Sequence, residues 1–594
     1  MIILKKHKKL IVISSIVIAS IVLLILIAQF IIGNILQSKL ENSLANREEG
    51  KYNIDIGNVK LNLFTMTLIL KDVHVIPDTT LIDQLKQKQA KQNIAIRLNI
   101  PTLRVRNIGL FDFIFYRQVD VGSFILKDAE IVLFNAGKST PKSEKTDEKS
   151  DKFNIDSIVL PGLEGVNLNK FSIINLALNV IDINNNDTVF FISSFNLLFK
   201  NIALIKNESD TAGFNLVLKD IDLHMSDEQF RLPGGKYLLS FNDMSFNSDH
   251  ALLAIKKLKI KPLYGRSKMV SMSKYQDEIF DCELEKVEIH SLYPADIIRN
   301  SIIILSHVAI NRMKLNIFKD KHLPFNTEKR PKLPQQLLKS LKQDLYIGSL
   351  IINESELVYS EQHIKMEEPM TVTLGDFNVK VSNITSITDS IAKGIVMAIK
   401  LQAKLQNKIP LGINLFFPMK SVADTFSFNG WLGNGDMKLF NPIVLPAIGL
   451  KFENGILDGI KFNAQANPEY AIGDLMMLYH NLEGNLVKSD IEETNKLLTW
   501  LADKLIIANN PSKDKDKRTV HMFFDRVMYK GLGNFVWKTL QSGISATIIP
   551  GMDKKVLKDI NTKLGIDKET AGKKTRQRKR KKLTKSGSLI NQSL

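Results

Sequence analysis

From residue 52 to about 480, apolar and polar side chains take turns along the chain. "IDIGNVKLNLF" sets Val59, Leu61 and Leu63 against Lys60 and Asn62. "IAIRLNI" sets Ile94, Ile96, Leu98 and Ile100 against Ala95, Arg97 and Asn99. "FNLVLKDIDLHM" supplies Phe214, Leu216 and Leu218, then Ile221, Leu223 and Met225 after a two-residue break. "VTLGDFNVKV" gives Val372 and Leu374, then Phe377, Val379 and Val381. "VMAIKLQAKL" sets Met397, Ile399, Leu401, Ala403 and Leu405 against Lys400, Gln402 and Lys404. Period two puts one residue type on each face of a strand, so this is the pattern of antiparallel sheet with one apolar and one polar face. Asn, Asp, Gly and Lys clusters between the runs suit hairpin turns, and the spacing predicts about two dozen strands.

A larger unit recurs. "VDVGSFILKDAEIVLF" (119–134) returns as "LYIGSLIINESELVYS" (345–360) and as "IIILSHVAINRMKLNIF" (302–318). Each reads as a strand, a short polar break and a second strand, a unit the size of a hairpin. Helical patterns are sparse: "TTLIDQLKQKQAKQ" (79–92) reads as a polar, exposed helix and "PQQLLKSLKQ" (334–343) as a short one begun by proline. After 485 the period becomes 3.6. "SDIEETNKLLTWLADKLIIANN" carries Leu497, Leu498, Leu501 and Leu505 on one stripe, and "TVHMFFDRVMYKGLGNFVWKTLQSGI" follows as an aromatic-rich amphipathic helix with Phe523, Phe524, Phe535 and Trp537.

The two ends differ from the body. After "KKHKK" (5–9), residues 10–32 carry no charge, long enough at about 1.5 Å per residue to span a hydrocarbon core of roughly 30 Å. A cleaved signal peptide would have a shorter apolar stretch ending at small residues, so the run reads as an anchor, with residues 1–9 cytoplasmic and the bulk on the far side. The organisation expected is anchor 10–32, β region 33–480 with a charged, disordered loop at 136–152, helical segment 481–565 and basic tail 566–594.

The net charge of +18 is concentrated at the ends: four lysines lie in 5–9 and nine basic residues in 573–585, which leaves about +5 on residues 10–572. A nearly neutral body argues against a nucleic-acid groove along it. The tail cations Lys573, Lys574, Arg576, Arg578, Lys579, Arg580, Lys581 and Lys582 suit either a solvated end or contact with anionic headgroups. A single cysteine, Cys282, permits no internal disulfide and no thiolate zinc site. The ten histidines show no metal-ligand spacing, and neither a phosphate-binding loop nor a nucleophile elbow is present. "GWLGNGDM", with Gly430, Gly433 and Gly435, reads as a turn. The expectation is a non-enzyme without cofactor or metal.

The apolar run followed by "IDIGNVKLNLFTMTLILKDVHV" resembles the opening of the AsmA-like superfamily, including its DUF748-type members. "RVRNIGLFDFIFYRQVDVGSFILKDAEIVLF" and "VEIHSLYPADIIRNSIIILSHVAINRMKLNIF" resemble two copies of that family's repeat, with Asp112 and Asp296 in matching places. Residues 445–487 are similar to its glycine-punctuated C-terminal strands through Gly455, Gly459, Gly473 and Tyr479. The resemblance implies an elongated β-groove on a single span in the inner membrane, with its bulk in the periplasm. It also implies a part in lipid movement or envelope maintenance, with lipids and other membrane proteins as partners.

A sheet of two dozen strands with one apolar face has to hide that face, and open sheets beyond about ten strands curl or split. One solution is a trough whose inner face shelters something else. The other is a set of dry sandwiches, which would suit a non-transporting scaffold or assembly factor. Leu61, Leu63, Leu98, Ile100, Leu216, Leu218, Leu374, Val379, Leu401 and Leu405 line the trough in the first case and fill a core in the second.

Overall fold

The computed structural model describes residues 52–87, 94–109, 115–135, 164–184, 187–206, 214–217, 220–232, 234–294, 297, 302–364, 367–486, 506–512 and 516–565. The apolar run 10–32, the loop 136–152, the tail 566–594, Leu218, Asp112 and Asp296 lie outside them. Among the described residues no helix is long and apolar enough to cross a membrane. The protein is mainly β, with 22 strands assigned to one sheet and few helices. It divides into two compact units, residues 1–269 with 280–314 and residues 270–279 with 315–594.

The first unit holds β1 (Tyr52–Asn62), β2 (Thr67–Pro77), β3 (Ile94–Ile108), β4 (Gln118–Lys127), β5 (Glu130–Asn135), β6 (Gly165–Asp182), β7 (Asp187–Lys206), β8 (Phe214–Val217), β9 (Asp220–Arg231), β10 (Tyr237–Asn247) and β11 (Leu252–Pro262). Strands β12 (Glu278–His290) and β13 (Ile302–Asp320) each contribute residues to both units. The second unit continues with β14 (Asp344–Gln362), β15 (Met370–Thr385), β16 (Val396–Leu405), β17 (Ile409–Pro418), β18 (Phe426–Leu432), β19 (Gly435–Asp436), β20 (Leu450–Ala466), β21 (Tyr470–Leu486) and β22 (Thr519–Asp525).

The repeated unit is a single long strand. β3 meets β4 through Thr102–Lys127 and β5 through Asn99–Glu130, so β4 and β5 occupy one ladder position and do not fold back on each other. Likewise 302–318 lies within β13 and 345–360 within β14. β8 and β9 both pair with β7, through Ala203–Val217 and Lys200–Asp220. The polar breaks read as hairpin turns are irregularities in mid-strand. Asp72, Asp128, Asn175, Asp227, Lys257, Arg312, Glu354 and Asp376 sit there at φ between 46° and 59°. Asp and Asn adopt this left-handed conformation more readily than most residues, which is also why they populate turns.

In the first unit these residues fall in one row. Asp72 lies opposite Gly57 of β1, Asn175 beside Asp128, and Asn242 beside Asp227. The register on either side is unbroken from β1 through β5, and again from β9 through β12. Each strand therefore shifts the phase of its alternation at the same height: Leu70 then Val73, Ile100 then Leu103, Leu126 then Ile131, Ile173 then Leu176. All eight join one apolar cluster, so both halves of each strand keep their apolar side chains on one face. Interrupting the pleat bends a strand and raises its twist, and a shared row of interruptions creases this part of the sheet.

The sheet is not wholly antiparallel. β4 and β5 run parallel to β6, through Phe124–Phe171 and Leu133–Val180. A parallel neighbour needs a long connection, here residues 136–164. Helix Thr79–Lys86 is not a freely exposed helix either: Leu81 and Leu85 are buried against Ala95 and Ile183.

In the second unit the apolar face changes character along the ladder. From β17 onward it is closed. Phe417, Phe428, Leu475 and Met522, each at most 1% exposed, pack with Phe535 of helix Leu532–Ile548 and with Leu338 of helix Pro334–Lys339 and its N-cap Leu333. The aromatic segment expected to be one helix is split. Thr519–Asp525 is an edge strand paired with β21, and only Leu532–Ile548 is helical. Val520 and Met522 are buried on the side that faces the helix. Gly543 allows the close approach, because a Cβ there would lie 2.6 Å from Met522 Cγ. The buried hydroxyls of Thr539 and Thr547 donate to the carbonyls of Phe535 and Gly543, so the interface carries no lost hydrogen bond there.

Candidate functional site

In the first unit the strands are packed mainly against their ladder neighbours, helix Thr79–Lys86 touches β3, and the apolar cluster at the crease draws its described members only from the segment β1 to β7. Burial on that face peaks at the crease. Ile56, Val73, Ile100, Ala129 and Leu176 are buried there, while Val59, Leu70, Leu98, Leu103, Leu126 and Ile173 on either side are half-buried. Farther out on β3, Ile94 and Ile96 are 46% and 43% exposed. Burial on this face therefore falls from a central line at the crease towards both strand ends. A dry two-layer core would bury the whole row.

Phe124, Phe171 and Phe199 form a continuous ring row over β4, β6 and β7, with centroids 5.3 and 5.9 Å apart. Glu228 is 3% exposed, and its Oε1 accepts the Ser194 backbone N–H at 3.0 Å, just past the end of the β7–β9 ladder. On the opposite surface the crease is tied by side chains: Asn175 Nδ2 donates to Asp128 Oδ1 at 2.8 Å, Ser194 Oγ to Asn175 Oδ1 at 2.6 Å, and Asn242 Nδ2 to Asp227 Oδ1 at 3.0 Å.

The residues expected to line a trough divide as follows. Leu98 and Ile100 share the apolar cluster of the first unit. Leu61 is half-buried at the end of β1, opposite Leu68, and Leu63 belongs to the turn into β2. Leu216 is placed on β8 by the backbone. In the second unit Leu374 lies between Leu357 and Leu405, and Val379 between Ile352 and Leu401. All four of Leu374, Val379, Leu401 and Leu405 are half-buried, and Ala403, between the last two, is buried. Of the buried crease residues the sequence singles out Ile100 alone; Ile56, Val73, Ala129, Leu176 and the Asp/Asn row are hidden by polar breaks such as Lys-Asp, Asn-Glu-Ser and Gly-Asp that read as turns.

The residues that carry the resemblance at 455–479 are packing positions. Gly455 and Gly459 occupy φ of 131° and 153°, where a side chain is strained. At Gly473 a Cβ would come within 2.6 Å of Ala464 Cβ. Tyr479 is 1% exposed and donates to the Ile507 carbonyl at 3.0 Å, and burial pushes its phenol up to about 12.

A polar cluster gathers where β13 and β14 end. Lys321 Nζ pairs with the Glu361 carboxylate and lies 3.0 Å from His363 Nε2, and Tyr359 Oη donates to Glu361 Oε1 at 2.6 Å. Burial opposes ionisation of Glu361, but His363, Lys321 and Tyr359 more than offset it and hold its carboxyl at about 2. Burial, with the adjacent carboxylate, raises the Tyr359 phenol far above its usual range. Among the described residues no set of three or more metal-ligating side chains converges. No protein-family model and no curated protein matches this sequence.

Proposed function

We propose that the chain is a non-enzymatic carrier or conduit that shelters acyl chains along the apolar face of its sheet. The observation carrying this reading is the apolar face of the first unit: a buried crease flanked by half-buried Leu, Ile and Phe. Exposing an acyl chain to water costs about 0.8 kcal/mol per CH₂, on the order of 12 kcal/mol for a sixteen-carbon chain. An apolar floor of branched and aromatic side chains removes most of that cost and needs no cofactor. The reading includes an anchor at residues 10–32, with the β region on the far side of an inner membrane, as the AsmA-like resemblance implies. Lipids are the partners, and movement between membranes or envelope upkeep is the task.

The scaffold reading draws on the closed packing from β17 to β22, where side chains alone fill the core. The two readings part on what the purified full chain carries. Extraction and native mass spectrometry should find phospholipid bound at several molecules per chain. A folded protein free of lipid after gentle purification would sink the carrier reading in favour of the scaffold.

A further inference from the structure

In the second unit the polar face of the sheet alternates with the buried core residues Leu415, Phe428 and Phe462, and strand register assembles a row on it. Lys380 of β15 lies opposite Lys400 of β16, Lys400 opposite Asn414 of β17, Asn414 opposite Asn429 of β18, and Asn429 opposite Asn463 of β20. At about 4.8 Å per strand the row is roughly 19 Å long. Asn414 Nδ2 donates to Asn429 Oδ1 at 2.9 Å, which holds these two amides side by side. Two residues along each strand, on the same face, Gln402, Gly412, Trp431 and Lys461 form a second row. The Trp431 side chain is 42% exposed, and Gly412 opposite it makes room for the indole: a Cβ there would come within 2.6 Å of Trp431 Nε1.

The charge on this patch has one sign. Lys380, Lys400 and Lys461 are exposed, and none has an ion-pair partner among the described residues. The bordering acids are already matched, Asp376 by Lys404 and Asp474 by His521. Lys380 and Lys400 are like charges directly opposite each other, an arrangement that repels until an anion joins it. Between the lysines stand carboxamides, which donate and accept hydrogen bonds as sugar hydroxyls do. The indole offers an apolar plate with a polar edge, suited to the C–H face of a sugar ring. A single-stranded nucleic acid asks instead for successive stacking rings along a basic groove, and these two rows hold one aromatic side chain.

We propose that this face binds an acidic oligosaccharide laid across the strands. Trp431 stacks on one sugar ring, Gln402, Asn414 and Asn429 bond its hydroxyls, and Lys380 and Lys400 take its acidic groups as point charges. The site lies on the polar side of the sheet and does not depend on acyl shelter by the apolar side.

The test is calorimetric titration of the full-length protein with hexagalacturonate and, separately, with hexathymidylate. The cations at 573–585 attract any polyanion, so the differences between variants are what count. Hexagalacturonate should bind the wild type, and Trp431→Ala and Lys400→Gln should each weaken it about tenfold. Trp431→Tyr, which keeps an aromatic plate, should retain most of the affinity. Lys400 is exposed, so its variant guards against a folding defect at position 431. Absence of hexagalacturonate binding overturns the proposal. Binding indifferent to both variants overturns it too, since it would then belong to the basic tail. Sensitivity to only one of them does the same, because the face requires ring and charge together. If hexathymidylate loses as much affinity in both variants as hexagalacturonate, the face belongs to nucleic acid and the saccharide is ruled out.

Discussion

Asn175 gives its side-chain amide to the Asp128 carboxylate at 2.8 Å, and both residues hold a left-handed backbone in the middle of parallel neighbouring strands. The pair joins two requirements of the crease: a residue tolerant of positive φ, and a side chain able to tie one strand's irregularity to the next. Ser194 extends the tie to β7 through Asn175 Oδ1.

Replacing Asn175 separates these requirements. Asn175→Gly keeps the backbone conformation and removes the ties, at a cost of about 1 kcal/mol. Asn175→Val also forces a β-branched residue into the left-handed region, for a total of about 2–4 kcal/mol. Urea unfolding monitored by circular dichroism measures both. Equal stability of the two variants would show that the backbone conformation at Asn175 is not under constraint.

The half-buried and closed parts of the apolar face should respond differently to one inserted charge. Leu401→Asp, at a half-buried position, should leave the protein folded and reduce the lipid recovered with it. Phe428→Asp, at a position 1% exposed under helix 532–548, should destabilise by more than about 4 kcal/mol, since a buried charge without a partner adds to the lost packing. Comparable unfolding by both would mean that Leu401 belongs to a closed core.

Glu361 predicts an acid-limb signature. Its folded pKa is depressed to about 2, so its contribution is present above the unfolded carboxyl value and lost as pH falls towards the folded one. From the usual value of about 4.3 that shift corresponds to on the order of 3 kcal/mol, lost progressively below about pH 4.5. Urea midpoints measured down the acid range should fall less steeply in Glu361→Gln than in the wild type. Parallel slopes would refute the linkage.

His521 carries the opposite sign. Asp474 accepts a hydrogen bond from it at 2.7 Å, which raises the imidazole pKa despite partial burial. The stabilisation is therefore full below the ordinary histidine range and is lost as pH rises through the raised value. NMR titration of His521 should place its midpoint above that of an unperturbed histidine, and Asp474→Asn should bring it down. An unchanged midpoint in that variant would remove Asp474 as the cause.

Strand identity was legible because period two holds on either side of each mid-strand break, and the count of about two dozen is close to the 22 observed. The polar breaks were misread because Asp, Asn and Gly serve a tight turn and a mid-strand phase shift for the same conformational reason. Only pairing partners distinguish the two, and those come from strands far away in sequence. Thr519–Asp525 was missed although Val520 and Met522 alternate correctly, because the neighbouring aromatic residues continue into a true helix. The polar row from Lys380 to Asn463 draws one residue from each of five strands, so no local pattern reveals it.

The parallel step between β5 and β6 sets an order on assembly. Every antiparallel hairpin can zip from its own turn, β6 with β7 included, but β6 must close residues 136–164 before it meets β4 and β5, at an entropic penalty that grows with loop length. The first five strands and everything from β6 onward can therefore ripen as separate pieces. Their union completes the Asp128–Asn175 tie, so the creased floor becomes continuous only when the last of these long-range joins is made.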